Sequence, residues 1–211
     1  MTARSDREIS EMPRTALRVG IMGASCTGKT TLAAALAEHL GLSVAIEGAR
    51  EAASAVGIAD SNQVCPVNAR EFQRLVFEIK VHAERELQPR YISDRTVIDC
   101  AAFWLFRELK GILRASPSDR QAYFSAVETY LEQKPYDILF FLEHGAFPWM
   151  GDGFRIEDQE PMTALLLGVL GGRFRRVLAA TRVEVIMVPR EMEAMEFRLV
   201  FCVERIRNLG V

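Results

Sequence analysis

The sequence is poor in the residues that build metal sites and disulfide frameworks. Among its 211 residues there are four cysteines and three histidines. The cysteines, at positions 26, 65, 100 and 202, form no C-x-x-C pair, and the histidines stand apart from one another and from every cysteine. This spacing argues against a zinc site and against a disulfide-stapled fold, and it suits a reducing compartment.

Long apolar runs and a strong net charge are missing as well. No stretch of about eighteen uninterrupted apolar residues occurs, so no membrane-spanning helix is predicted and no membrane partner is expected. Residues 1–14 are polar and of mixed charge, unlike a secretory signal. The net charge of −2 supplies no bulk field for nucleic acid, although it leaves room for a local basic groove. We therefore expect a cytoplasmic protein whose partners are decided by individual sites.

The chain does have enough apolar surface for one large domain. Apolar residues make up 49% of the sequence, which suffices for a full core at this length. No internal repeat or low-complexity tract interrupts it. We expect a flexible N-terminal segment over residues 1–16 and a single P-loop domain over residues 17–211.

One complete motif stands near the N-terminus. Residues 23–30 read Gly-Ala-Ser-Cys-Thr-Gly-Lys-Thr, which matches the phosphate-loop pattern G-x-x-x-x-G-K-[ST]. A strand-like run precedes it over residues 17–22, and a helix-like run follows it from Thr31. The glycines let backbone N–H groups surround a triphosphate at the start of the helix. The motif therefore predicts that the chain binds ATP together with Mg²⁺.

The residue types of this loop have separate predicted tasks. Lys29 reaches the terminal phosphates as a point charge, and the Thr30 hydroxyl joins the Mg²⁺ that bridges the β and γ phosphates. Thr31 adds a hydroxyl near the α-phosphate. The predicted nucleotide-binding residues are Gly23, Ala24, Ser25, Cys26, Thr27, Gly28, Lys29, Thr30 and Thr31.

Strand-like and helix-like segments alternate along the rest of the chain. Apolar residues recur at helical spacing over residues 69–87, and Pro89 ends that run. Strands separated by helices imply right-handed βαβ units. The predicted fold is a three-layer α/β P-loop NTPase fold with a mostly parallel five-stranded sheet and helices on both faces. Strands are predicted at residues 17–22, 42–46, 90–93, 136–142 and 183–188.

The third predicted strand leads into Asp94. Because ligands bind at the carboxyl ends of strands in such sheets, we expect this carboxylate to hold Mg²⁺ with Thr30, as a Walker B residue does. Its other reading is a cap on the helix that follows, and the two roles can coexist. Arg95 comes next and is either a ligand for the acceptor's phosphate or sugar or an ordinary solvated arginine.

The second predicted strand ends at Glu47. A carboxylate there is our candidate for the base that accepts a proton from an acceptor hydroxyl, and Arg50 is a candidate for holding an anionic group of the acceptor. Gly48 would let the backbone turn close to a ligand. The other reading is an ordinary charged start of a surface helix.

A glycine-rich, charged segment follows the fourth strand. We interpret residues 145–160 as a mobile lid, and Arg155 as the residue that closes over the triphosphate and neutralises charge during transfer. A second basic cluster, Arg173 to Arg176, is more typical of a solvated helical face than of a phosphate clamp.

Several short segments together resemble the NadR-like P-loop kinase domains, relatives of the thymidylate kinases. The resemblance implies an ATP-dependent kinase that acts on a nucleoside, nucleotide or nucleotide-like acceptor, with Asp94 and Arg95 at the acceptor and metal centre and Arg155 in the lid. The segments are Gly23-x-x-x-x-Gly28-Lys29-Thr30-Thr31-Leu32, Glu47-Gly48-Ala49-Arg50-Glu51, Ser93-Asp94-Arg95-Thr96 with Asp99, Tyr136-Asp137 and Asp152-Gly153-Phe154-Arg155.

Two other functions stay open from the sequence. Some phage-encoded kinases similar to this group phosphorylate a hydroxymethylated pyrimidine, such as 5-hydroxymethyluracil, within DNA. That role would need a basic groove and a stacking aromatic such as Trp149. The second alternative is a P-loop ATPase or nucleotide-dependent switch, which needs neither a base nor a lid. The arginines available for a DNA groove are Arg173, Arg175, Arg176 and Arg182.

Overall fold

The structure is a computed structural model that describes residues 16–146 and 159–209. Five strands form one sheet in the order β2-β3-β1-β4-β5, and every neighbouring pair is parallel. The strands are β1 (Leu17–Gly23), β2 (Ser43–Ala45), β3 (Arg90–Asp94), β4 (Ile138–Leu142) and β5 (Glu184–Val188). The helices are α1 (Lys29–Leu40), α2 (Ala49–Ala55), α3 (Ala69–Glu86), α4 (Val97–Leu109), α5 (Pro117–Glu132), α6 (Gln159–Gly171), α7 (Arg175–Ala180) and α8 (Met195–Asn208), with a 3₁₀ turn at Ser61–Gln63.

Helices cover the sheet on both faces and make two apolar cores. One core lies between the sheet and α1 and α8, where Leu32, Leu36 and Ile206 are buried. The other lies between the sheet and the helices α2 to α7. Strand β4 reads Ile-Leu-Phe-Phe-Leu and is buried at all five positions, as expected of a parallel strand packed on both faces. The predicted three-layer α/β fold is confirmed.

The order of strands places one crevice at the centre of the sheet. The chain leaves β1 toward β3 and β2 on one side and later returns to β4 on the other side. At the carboxyl edge, Ile21 pairs with Asp94 and Gly23 pairs with Leu142. The phosphate loop therefore begins where the strand order reverses, which is the usual ligand site of such sheets.

The sequence predicted the elements more accurately than their ends. Strand β2 is three residues long, shorter than the predicted run over 42–46, and β3 includes Asp94, which was expected to follow it. Most of the predicted lid, including Arg155 and Trp149, lies outside the described residues. Within the described ranges no helix is long and apolar enough to cross a membrane.

Candidate active site

The loop between β1 and α1 takes a conformation that its sequence requires. Gly23 has φ +148°, and a Cβ there would lie 2.4 Å from the Leu142 carbonyl oxygen, so only glycine fits. Gly28 has φ +88° at the start of α1. Cys26 also has a left-handed φ of +57°, which is uncommon for a residue with a side chain. Such strain is often kept at binding sites.

Lys29 is buried within this loop. Its Nζ donates to the Ala24 carbonyl and lies 3.3 Å from Thr27 Oγ1, so the ammonium fills the loop's own centre. Burial, followed by the nearby Arg95 guanidinium, lowers the pKa of Lys29 to about 7. Lys29, which is predicted to meet the terminal phosphates, therefore gains or loses its proton near neutral pH in the free protein.

Thr30 and Asp94 meet beside the loop. The Thr30 hydroxyl donates to Asp94 Oδ2 at 2.7 Å. The other carboxylate oxygen, Oδ1, is buried and has no hydrogen-bond partner among the described residues. An acceptor-only oxygen left in this way fits a hard cation or its bound water, because Mg²⁺ prefers carboxylate and hydroxyl oxygens. These two residues therefore suit the Mg²⁺ that accompanies a nucleoside triphosphate.

Arg95 lies across the mouth of the loop and joins it to the second strand. Its Nε is 3.1 Å from Glu47 Oε1, its Nη2 donates to Ser25 Oγ at 3.2 Å, and its Nη1 is 3.5 Å from the Gly23 carbonyl oxygen. The guanidinium also lies 4.8 Å from the centre of the Phe103 ring. Arg95 is 5% exposed, so the reading as a solvated surface arginine is wrong.

Asp99 ties the start of α4 to the phosphate loop. Its Oδ2 accepts bonds from the Thr96 N–H and hydroxyl, which completes a capping box, and its Oδ1 accepts the Gly23 N–H at 3.1 Å. The helix cap that was considered for Asp94 is thus made by Thr96 and Asp99. Burial raises the pKa of the Asp99 carboxyl, opposed by the Arg95 guanidinium.

A cavity adjoins the loop on the side of Glu47 and Arg95. Glu47, whose side chain is 18% exposed, contributes to its wall, and Phe72 and Phe103 supply apolar surface. Gln73 also lines it. The Gln73 side chain is buried, yet neither its amide nitrogen nor its amide oxygen has a hydrogen-bond partner among the described residues. Burying an amide in this way costs about 1–3 kcal/mol, which a ligand could offset.

Two side chains from distant parts of the chain hold the phosphate loop from outside. Arg198 of α8 donates from Nη1 to the Thr27 carbonyl at 2.8 Å and from Nε to the Met192 carbonyl. Gln159, the first residue of α6, donates to the Ser25 carbonyl at 3.2 Å. The loop is thereby fixed to both helical layers.

The structure brings most of the predicted site residues together. The phosphate loop and Arg95 line one pocket, Glu47 pairs with Arg95, and Asp94 accepts a hydrogen bond from Thr30 of the loop. Arg50, in the first turn of α2, is exposed and does not line the cavity, so its contact with an acceptor stays a prediction. Arg155 lies outside the described residues, and its role also stays a prediction.

Sequence reasoning missed Gln73 and Arg198 as well as Lys80, which lines the same cavity as Gln73, and it named Asp99 only within the family resemblance. A signal for Gln73 and Lys80 exists in the helical phase of α3. Each lies one helical turn after a buried apolar residue and so faces the core. For Arg198 no local signal exists, because its contact lies 171 residues away along the chain.

Comparison with known proteins shows the family to which the chain belongs. A family model described as an AAA domain (AAA_28) matches residues 18–194, from the first strand to the residues before α8. No curated protein sequence matches the chain.

Solved structures share the fold at low sequence identity. Deoxyadenosine kinase from M. mycoides with bound dATP has a TM-score of 0.67 and 13% identity, over 90% of this chain and 100% of that one. NadR protein in complex with NAD and AMP-PNP has a TM-score of 0.62 and 17% identity, over 93% of this chain and 50% of that one. Thymidylate kinase from Candida albicans has a TM-score of 0.55 and 14% identity, over 92% of each chain. The resemblance to NadR-like domains is thereby confirmed for the fold.

Proposed function

We propose that this chain, which belongs to the AAA_28 family of AAA domains and has the fold of the P-loop nucleotide kinases, is an ATP-dependent phosphotransferase. It moves the γ-phosphate of ATP to a hydroxyl or phosphate of a nucleoside, nucleotide or nucleotide-like acceptor. One observation carries the proposal. The phosphate loop opens beside a second cavity; Arg95 lines both, and Glu47, which pairs with Arg95, lines the second.

On the donor side, the loop binds the triphosphate and Lys29 turns outward. Its Nζ leaves the Ala24 carbonyl and meets the β and γ phosphate oxygens, where its charge stabilises the transferring group. Thr30 and Asp94 would hold Mg²⁺, which would supply further neutralisation of the phosphate charge. Arg155, outside the described residues, is proposed to close over the same phosphates.

On the acceptor side, Glu47 orients the acceptor hydroxyl and accepts its proton as the oxygen attacks the γ-phosphorus. The bond from that phosphorus to the oxygen bridging to the β-phosphate breaks, and ADP leaves. Arg95 reaches both the loop and Glu47, and so it can hold the acceptor's oxygen next to the donor. Asp94 is the second candidate for the base.

The cavity supports one class of acceptor. Its walls include the Phe72 and Phe103 rings, and the Arg107 guanidinium lies 5.0 Å and 5.6 Å from their centres. The unpartnered Gln73 amide offers a donor group, Nε2, and an acceptor atom, Oε1, side by side. A planar heteroaromatic base with a complementary edge would satisfy both groups. This supports an acceptor that carries a base.

The two alternatives have less support. For a DNA substrate, Arg173 would have to contact phosphate, but it pairs with Glu128 at 3.0 Å and lies over the Phe124 ring. Trp149 lies outside the described residues. An ATPase or switch has no need of the acceptor cavity with its unpartnered amide.

The test is transfer of label from γ-³²P ATP to a panel of free nucleosides, nucleoside monophosphates, ribosylnicotinamide, and DNA with ordinary or hydroxymethylated pyrimidines. We expect label on one free, base-bearing acceptor. Label on DNA alone would favour the DNA kinase. Release of phosphate with no acceptor labelled would favour the ATPase or switch.

Gln73→Leu tests the class of acceptor. Removing the amide should raise KM for the acceptor by about 10- to 100-fold and leave KM for ATP unchanged, because the phosphate loop is untouched. The matched control is Gln121→Leu, an exposed glutamine of α5. An unchanged acceptor KM in Gln73→Leu would show that the amide does not read the acceptor.

A further inference from the structure

Lys80 of α3 is a buried lysine for which the proposed reaction has no use. Its side chain is 1% exposed, and its Nζ donates to the Ala45 carbonyl at 2.8 Å and to the Asp94 carbonyl at 2.9 Å. The Ile46 carbonyl oxygen lies 3.4 Å from the same nitrogen. The three N–H groups of one ammonium therefore face three backbone carbonyls.

Those carbonyls lie at the end of the hydrogen-bonded ladder between β2 and β3. The ladder between β2 and β3 pairs Ser43 with Tyr91, Val44 with Ile92 and Ala45 with Ser93, and it ends there. The site residues come just after this ladder in both strands: Glu47 follows Ile46, and Asp94 follows Ser93. Lys80 links the ends of β2 and β3 at this point, beyond the last pair of the ladder between them.

The packing around Lys80 keeps its helix close to the same segment. A Cβ on Gly48 would lie 2.6 Å from Ile79 Cγ2 and 2.9 Å from Ile79 Cβ, so α3 is in direct contact with the turn after Glu47. The φ of Gly48 is −85°, which any residue can adopt. Glycine is therefore needed here for space against α3, and Gly48 also lines the acceptor cavity.

The need to fill the core does not explain why this position has a lysine and not an apolar residue. A buried ammonium is costly unless its donors are satisfied, and a methionine would fill similar volume without that cost. The nearest charge partner, Glu84 Oε1, is 3.9 Å away, beyond hydrogen-bond distance. The contacts that distinguish a lysine here are the ones to the backbone of β2 and β3.

We propose that Lys80 is a positioning residue that clamps the ends of β2 and β3 and so fixes Glu47 relative to Asp94. The inference rests on the proposed function, because it concerns how the acceptor base and the Mg²⁺ ligand of that reaction are held at a set separation. Lys80 also lines the acceptor cavity, but its Nζ is held by the Ala45 and Asp94 carbonyls and takes no part in the transfer. It acts through the backbone of the residues that do.

Lys80→Met in the full chain tests the clamp. With the two strand ends free to part, kcat for transfer should fall about 100-fold, the effect of roughly 1 Å of misplacement. The Mg²⁺ concentration for half-maximal transfer should rise about 10-fold or more, as when an outer partner of a metal ligand is lost. The affinity for ATP in EDTA should stay within about twofold of wild type, because the phosphate loop keeps its own contacts.

The matched control is Lys110→Met, an exposed lysine at the end of α4, which should leave all three quantities unchanged. If Lys80→Met only lowers the melting temperature and transfers phosphate at the wild-type rate and Mg²⁺ dependence below it, Lys80 is merely structural and the proposal is overturned. Absence of transfer by the wild-type protein to any acceptor would instead overturn the proposed function, and the clamp with it.

A crystal structure of the wild-type protein with Mg²⁺ and a non-hydrolysable ATP analogue decides the matter if Lys80→Met does not fold. We expect Nζ to remain bonded to both the Ala45 and the Asp94 carbonyl oxygens. A structure in which Nζ has left either carbonyl while Asp94 holds the metal would contradict the clamp.

Discussion

Lys29 turns its charge inward in the free protein, where burial lowers its pKa to about 7. Above pH 7 it is mostly neutral, and a bound triphosphate should raise the pKa again by supplying opposite charge. ATP binding at pH 8 should therefore take up most of one proton, and the affinity should fall by up to about tenfold per pH unit above 7.

Titration calorimetry at pH 8 in two buffers of different ionisation enthalpy measures this uptake. The triphosphate itself contributes little, since phosphate groups of this kind ionise near a pKa of about 6. Lys29→Ala, which should keep the fold but abolish transfer, should show no uptake. Binding by the wild-type protein without net proton uptake would mean that Lys29 is already charged in the free loop.

Substitutions of Glu47 and of Asp94 are expected to affect different steps of the reaction. Glu47→Gln should lower kcat by about 10²- to 10⁴-fold, the usual range for a general base, and leave Mg²⁺ dependence near wild type. Asp94→Asn should instead raise the Mg²⁺ requirement, because it weakens the oxygen pair that Thr30 and Asp94 present. If Glu47→Gln transfers phosphate at the wild-type rate, Asp94 becomes the candidate base.

The site residues that the sequence revealed are the ones whose chemistry is local. The phosphate loop is a contiguous pattern, and Asp94 stands at the end of a strand, where ligands are expected. Gln73 and Lys80 look like ordinary polar residues of an amphipathic helix until the buried face is known. Arg198 reaches the loop only through the packing of α8 on the sheet.

At the scale of elements, the turn after β2 depends on its contact with α3. Gly48→Ala would place a Cβ 2.6 Å from Ile79 Cγ2, so either the turn or α3 must move. We expect a loss of about 1–3 kcal/mol in the free energy of unfolding, as for overpacking elsewhere. The transfer rate should also fall, because Glu47 precedes the glycine. Urea unfolding and the transfer assay measure the two effects.

Gly168→Ala is the control for that substitution. Gly168 lies inside α6, and an added Cβ would meet nothing within 4 Å. The free energy of unfolding should rise by about 0.5–1 kcal/mol, because alanine is the better helix former. Equal stability of Gly48→Ala and Gly168→Ala would contradict the close contact described for α3.

The elements themselves were predictable because each has a strong local pattern. Strand β4 is a continuous apolar run, and α3 carries apolar residues at helical spacing that end before Pro89. Their ends were less predictable. Among the described strands, β2 pairs with β3 alone, and that ladder ends at Ala45, which the apolar run over 42–46 does not indicate.

At the scale of the molecule, the alternation of strands and helices predicted a parallel sheet covered on both faces. The order β2-β3-β1-β4-β5 did not follow from that alternation, since it depends on which face each helix covers. This order places β1 next to both β3 and β4 and so brings the phosphate loop beside Asp94 and Arg95. The acceptor cavity is then completed by α3 and α4, which the same order puts on one face.

A base-bearing molecule, rather than water, is the proposed acceptor of the γ-phosphate. The most direct measurement is a single turnover with γ-³²P ATP and Mg²⁺, enzyme in excess, in which the label on the acceptor and the label released as inorganic phosphate are counted together. We expect nearly all label to end on one free acceptor, and Lys29→Ala to label nothing. Label found only in inorganic phosphate, with every acceptor of the panel present, would contradict this proposal.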